Sequence, residues 1–198
     1  MLDYDLKKED PQRDQFYKIQ PELCSPISEE EIGPEAVESV KNYLWEEHIH
    51  LPLNPPEIEY KPSEERHFYF AWDHKITFAT EPKNVPAAGL IHEMAHAKLG
   101  AIGIGPFIES HGGFFCRVFG QMWSDYTTES STVFYKRCRE NNLTVARKLP
   151  DLNPNPWAVV VERGKEYAVR SAHRAIEMGF NVKKTFNLNV KGNHPMAY

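Results

Sequence analysis

The chain has no run approaching the roughly 20 consecutive apolar residues of a membrane-spanning helix. Its first residues, Met1-Leu2-Asp3-Tyr4-Asp5-Leu6-Lys7-Lys8, lack the apolar centre of a secretory signal, so the expectation is a cytoplasmic product with no membrane contact. Cysteine is scarce as well. Cys24, Cys116 and Cys138 are odd in number and show no C-x-x-C spacing, which argues against both a disulfide framework and a cysteine-based zinc site. No internal repeat or low-complexity segment appears, and no dense Arg/Lys tract with interleaved aromatics marks a nucleic-acid surface. What is present is 198 residues with 41% hydrophobic content, enough for one cored domain, or one domain with a small appendage.

The residues that carry chemistry lie between Asn84 and Phe115, centred on His92-Glu93-Met94-Ala95-His96. Asn84-Val85-Pro86 reads as a helix start, with Asn as cap and Pro in the first turn, and Gly100 reads as the stop. On such a helix His92 and His96 stand one turn apart on one face, so both imidazoles can reach a single ion about 2.0–2.1 Å from each nitrogen. Glu93 is turned aside, able to take a proton from a water on the ion without being a ligand. This is the zinc-hydrolase signature. Leu90, Ile91, Met94, Ala95 and Leu99 make the other faces apolar, as a helix through a core requires. Two histidines and a glutamate there would be costly to bury without a partner, and a divalent cation is the obvious one.

A catalytic zinc takes three protein ligands and keeps one open position. The metzincin pattern is excluded, because Leu99 and Ile102 occupy the places where it needs Gly and His. His111, in Glu109-Ser110-His111-Gly112-Gly113-Phe114-Phe115, is the preferred third ligand; Glu109 and Glu129 stay open as alternatives.

His92, Glu93, His96 and the later His111-Gly112-x-x-Phe115 resemble the SprT-like (Spartan-type) zinc metalloproteases, whose pattern is His-Glu-x-x-His, a loop, then His-Gly-x-x-Phe. A nearer likeness is to small bacterial and phage-borne metallohydrolases of that type. These also begin with an Arg-Asp-x-Gln-like segment, here Arg13-Asp14-Gln15, and end with a Leu-Thr-Val-like stretch, here Leu143-Thr144-Val145. The likeness covers about residues 13–148 and is specific only around the ligands. It implies a zincin fold, Zn2+ as cofactor and hydrolysis of peptide bonds in a protein or peptide substrate, in the host cytoplasm if the gene is phage-borne.

Around that centre the chain reads as α+β: a zincin-like metalloprotease domain with a small, mainly antiparallel sheet packed on the His-Glu-x-x-His helix and further helices. Residues 1–12 are expected to be a disordered N-terminus. Residues 13–148 form the metallohydrolase domain, 149–156 a Pro-rich linker, and 157–198 a strand-helix-strand extension docked on it. Gln15–Ile19 is readable as strand or helix turn. A helix is expected over 34–48, followed by strands at 57–61, 67–72 and 75–80, with the last two a hairpin and 75–80 the edge strand beside the cleft. A helix from Phe114 anchors His111, and Thr127 or Thr128 caps another through Glu140, with Val133, Phe134 and Cys138 inward. In the extension, Trp157–Val161 is expected as a strand, Gly164–Met178 as a helix, and Phe180–Val190 as the last strand.

The expected chemistry is hydrolysis with zinc held by His92, His96 and His111 and with Glu93 as the base. Tyr126, His67 and His74 are candidates for stabilising the oxyanion, while His48, His50, His173 and His194 read as surface residues. Charge leaves a second function class in play. Residues 1–130 carry 11 Lys+Arg against 23 Asp+Glu, and 131–198 carry 12 against 5. The basic C-terminal part suits packing against the acidic half or a nucleic-acid contact, so the rival reading is a non-catalytic, zinc-stabilised accessory protein acting on a protein or nucleic-acid partner.

Overall fold

The computed structural model describes residues 10, 12–48, 54–70, 74–101 and 111–149, and beyond these the backbone of four strands between 157 and 197. Helices and strands from both sides of it in the chain pack against one helix. That helix, α3 (Ala87–Ala101), is buried at nearly every position, Leu90, Ile91, Met94, Ala95 and Ala97 completely so. A helix apolar on all sides must be enclosed on all sides, and the elements before and after it do this.

On the N-terminal side, α1 (Arg13–Leu23) buries Phe16, Ile19 and Leu23 at spacings of three and four, the stripe of an amphipathic helix. Pro21 inside it has no N–H to give to Tyr17, which is why the local sequence did not decide between helix and strand. The next helix, α2 (Pro34–His48), turns Val37, Lys41, Leu44 and Trp45 inward, the Lys41 amine reaching Glu38 at 2.6 Å while its stem is covered.

The start of α3 differs from expectation. Val85–Pro86 (β5) pairs antiparallel with Glu31–Ile32 (β1), and the helix begins one residue after Pro86. The Ala87 N–H finds the Glu30 carbonyl at 2.9 Å, and the Asn84 side chain donates to Glu31 at 3.0 Å instead of capping. Gly100 lies inside the helix, not beyond its end. It is held there by close packing, since a Cβ at Gly100 would stand 3.0 Å from the Tyr69 ring.

The small sheet corrects two expectations. Its order is β2 (Glu57–Tyr60), β4 (Lys75–Phe78), β3 (Phe68–Phe70), with β2 parallel and β3 antiparallel to β4, so it is mixed and not mainly antiparallel. The hairpin of β3 and β4 is present, but β4 is the central strand and β3 the edge. Ile76, Thr77 and Phe78 are all buried, as in a strand covered on both faces.

His111 stands immediately before α4 (Gly113–Thr127), whose Phe115, Val118, Phe119, Met122 and Trp123 are fully buried. Thr128 closes that helix in the left-handed conformation at φ 64, and Ser130 caps α5 (Ser131–Glu140) through the Thr132 N–H, so neither Thr127 nor Thr128 is the cap. Phe134 and Cys138 face inward as expected, but Val133 is exposed and Tyr135 takes the inward place, its hydroxyl donating to the Arg117 carbonyl. All three cysteines are buried and free, consistent with packing. The segment after α5 returns to the start of α4: the Ala146 N–H donates to the Gly113 carbonyl at 2.9 Å. A Cβ at Gly113 would come within 3.0 Å of that same nitrogen, so the close approach needs glycine.

The C-terminal part is a four-stranded antiparallel sheet, order β7 (Lys165–Val169), β6 (Trp157–Glu162), β8 (Asn181–Leu188), β9 (Pro195–Ala197). This overturns the strand-helix-strand reading over 165–169, where a strand stands in place of the first turns of the expected helix; the rest of that helix lies outside the described residues. Ala168 and Val169 share helical spacing with Ala172 and Ala175, but Glu162 pairs directly with Lys165 across a two-residue connection. A hairpin so short satisfies the backbone of both strands locally. Among the described residues no helix is long and apolar enough to cross a membrane.

Candidate metal centre

The structure brings His92, His96 and His111 together, with one ring nitrogen from each lying within 4.8 Å of the others. The Nε2 atoms of His96 and His111 each stand 3.2 Å from Nε2 of His92. Two nitrogens each about 2.0–2.1 Å from a tetrahedral ion are about 3.3 Å apart, so the His92–His96 and His92–His111 pairs both have the spacing of ligands sharing one cation. The three residues are close enough to bind a metal ion.

Each ring is fixed by packing that follows from the fold. His92 and His96 project from one face of α3, and α4 supplies Phe115, whose ring centroid lies 4.9 Å from His92, 4.5 Å from His96 and 4.9 Å from His111. Phe16 of α1 sits 5.7 Å from both His92 and His111, and Tyr17 stacks on His92 at 5.4 Å with planes 21° apart. His92 and His111 are buried and His96 is half-buried. Nδ1 of His92, enclosed by these rings, has no hydrogen-bond partner among the described residues.

His111 is held by residues assigned above to a disordered terminus. Oδ2 of Asp10 lies 2.7 Å from Nδ1 of His111 and accepts from the His111 backbone N–H at 3.1 Å. Gln12 completes the clamp, donating to the His111 carbonyl at 2.9 Å and accepting from the Thr144 N–H at 2.5 Å. Asp10 and Gln12 therefore correct the assignment of 1–12 to disorder; residues 1–9 and 11 lie outside the described residues. A carboxylate at Nδ1 places the proton there and turns the bare lone pair of Nε2 toward the other two rings, the tautomer a metal ligand needs.

Electrostatics point the same way. Burial first, then the neighbouring imidazoles, holds His92 well below its usual value and His96 down at about 3. Burial also lowers His111, opposed by Asp10. All three rings are neutral near pH 7, as ligation requires. Glu93, 4% exposed, is pushed up to about 8 by burial, against the pull of a hydrogen bond from the Tyr69 backbone and of Arg66. A divalent cation beside it would restore its charge.

The other candidates separate. Glu109 lies outside the described residues, and Glu129 has its carboxylate 3.9 Å from Arg137, away from the imidazoles. The Tyr126 hydroxyl donates to Glu30 at 2.7 Å, and His74 bonds the Tyr69 hydroxyl at 2.9 Å and the Asn54 carbonyl at 2.8 Å, so both are engaged elsewhere. His67 lies over α3, where a Cβ at Gly89, one turn before His92, would meet its ring at 3.2 Å. His48 is not a plain surface residue, since Nε2 is 2.7 Å from Asp125 and its side chain is 11% exposed; His50, His173 and His194 lie outside the described residues. Asp10, Gln12 and Tyr17 were missed. Asp10 is separated from His111 by 101 residues, and no local spacing signals such a pair.

No family model, curated protein or solved structure matches the chain.

Proposed function

We propose that the protein is a zinc-dependent metallohydrolase, a metallopeptidase of the kind its SprT-like motifs imply, with a zincin-like core. The observation that carries this reading is that Nε2 of His92 stands at tetrahedral-ligand spacing from Nε2 of both His96 and His111, with a buried glutamate one residue along α3. Three neutral imidazoles favour Zn2+ among common divalent ions, because hard cations such as Mg2+ and Ca2+ take oxygen ligands. A zinc ion in this setting supplies Lewis acidity and acidifies the water it holds.

The chain's own residues do the rest. Asp10 keeps His111 in the required tautomer and orientation. Glu93 accepts the proton of the attacking water and delivers it to the leaving amine, with the Tyr69 backbone holding its carboxylate in place. An extended peptide would lie along β3, which takes over the role expected of β4: among the described residues it is one of the sheet's two edge strands, and its Tyr69 stands beside Glu93.

The test is metal analysis of the purified protein combined with a proteome-wide cleavage screen against Glu93→Gln. The reading expects zinc near one equivalent in both proteins and cleaved peptides from the wild type alone, with Glu93→Gln slower by about 10²–10⁴-fold. Equal peptide patterns with zinc retained, together with unfolding of His96→Ala, would move the assignment to the zinc-stabilised accessory protein.

A further inference from the structure

Two exposed arginines act on the surroundings of the histidine cluster. Arg13, in the first turn of α1, places its guanidinium carbon 6.0 Å from the centroid of the Tyr17 ring. That ring, 43% exposed, covers His92 at 5.4 Å and His111 at 5.0 Å. Arg66 arrives from the sheet side. It directly precedes His67, whose ring rests on Gly89 of α3, and its charge is felt by both Glu93 and Tyr17, as that of Arg13 is by Tyr17 and His111. Both arginines are exposed, and among the described residues neither guanidinium makes an ion pair. Two guanidiniums outside any ion pair among the described residues, one resting on the exposed Tyr17 ring and the other with its charge reaching both that ring and Glu93, suit a planar anion.

Resting on the metallohydrolase reading above, we propose that Arg13 and Arg66 are specificity-determining residues and that the preferred substrate is a peptide bearing a carboxylate within a residue or two of the bond presented to the metal. The carboxylate pairs with the guanidiniums across Tyr17, and the bond to be cut is thereby set beside Glu93. An acidic side chain and a free C-terminus offer the same group. The two sources differ only in how far the carboxylate stands from the backbone.

The experiment uses zinc-loaded full-length protein and three malonyl hydroxamates, in which the hydroxamate anchors at the metal. One is coupled to glutamine amide, with no carboxylate; one to glutamate amide, with a side-chain carboxylate; one to glutamine, with a terminal carboxylate. Calorimetry should show at least one carboxylate compound binding about five- to tenfold tighter than the neutral one at low salt, the tighter of the two identifying the source. The advantage should shrink as salt is raised, vanish in Arg13→Gln/Arg66→Gln, and return in part in Arg13→Lys/Arg66→Lys, while zinc content and binding of the neutral compound stay unchanged. Equal binding of all three compounds by the wild type, or an advantage that survives the double glutamine variant, would overturn the arginine assignment and leave the metal site standing. Failure of every hydroxamate to bind, with no zinc retained, would overturn the metal reading and this inference with it.

Discussion

Removing the Asp10 carboxylate tests whether the site is a built metal centre or an incidental gathering of rings. In the folded protein Oδ2 of Asp10 serves two groups of His111, the ring Nδ1 at 2.7 Å and the backbone N–H at 3.1 Å, with the Asp10 side chain 10% exposed and that of His111 5%. Asp10→Ala leaves both groups without that acceptor and frees the ring to rotate. Loss of such an outer carboxylate weakens metal binding by about 10–100-fold, equivalent to about 1.4–2.8 kcal/mol. The metal-free fold also suffers, since each buried donor left unpaired costs about 1–3 kcal/mol. Asp10→Asn separates the two effects: it keeps a carbonyl oxygen for the ring N–H and removes only the charge, so its zinc affinity should fall between wild type and alanine while its stability stays near wild type. The assay is competition with a fluorescent zinc chelator, with denaturant unfolding of the metal-stripped proteins alongside. His111→Ala, which loses the ligand itself, sets the lower limit. Wild-type zinc affinity in a folded Asp10→Ala protein would refute the claim that the carboxylate orients the ligand.

Other expectations follow from the same geometry. With folded-state values held below the usual 6.5, the three histidines bind fewer protons in the native state than in the unfolded chain, so stability of the metal-stripped protein should fall as pH drops below about 6.5. Glu93 acts in the opposite sense. Raised from 4.5 to about 8, it keeps its proton longer in the native state, and its contribution to stability declines as pH rises between those values. Metal-stripped Glu93→Gln should therefore show a higher Tm than wild type at pH 8 and a similar one near pH 4.5; parallel Tm profiles would contradict the burial argument. At the crossing of α4 and α5, a Cβ at Gly120 would overlap the rings of Phe134 and Tyr135, so Gly120→Ala should cost about 1–3 kcal/mol in denaturant unfolding, and a neutral outcome would mean the crossing is looser than described.

The three clustered histidines were readable because each depends on local periodicity. His92 and His96 need only one helical turn, and His111 needs only the apolar run from Phe114 to Trp123 that anchors the helix behind it. The Pro34–His48 helix was equally plain, its bounds marked by proline and an acidic first turn. What surrounds these histidines was not readable, for reasons of distance along the chain. Asp10 and Gln12 look like a polar end until the fold brings them against His111 and Thr144. The central place of β4 depends on β2, which pairs with it in parallel across an intervening strand, a connection no local pattern encodes. The start of α3 slipped because Val85–Pro86 found a partner in Glu31–Ile32, and pairing at a distance overrode a good local cap. In the C-terminal part, alanines at helical spacing suggested a helix where a two-residue connection allowed a hairpin.

X-ray absorption at the zinc edge of the purified protein measures the central claim without need of a substrate. The account predicts about one zinc per chain, with three imidazole nitrogens at about 2.0–2.1 Å and one further light ligand, the imidazole count dropping to two in His111→Ala. A protein without bound metal after expression and reconstitution in zinc, or a spectrum unchanged by His111→Ala, would contradict it.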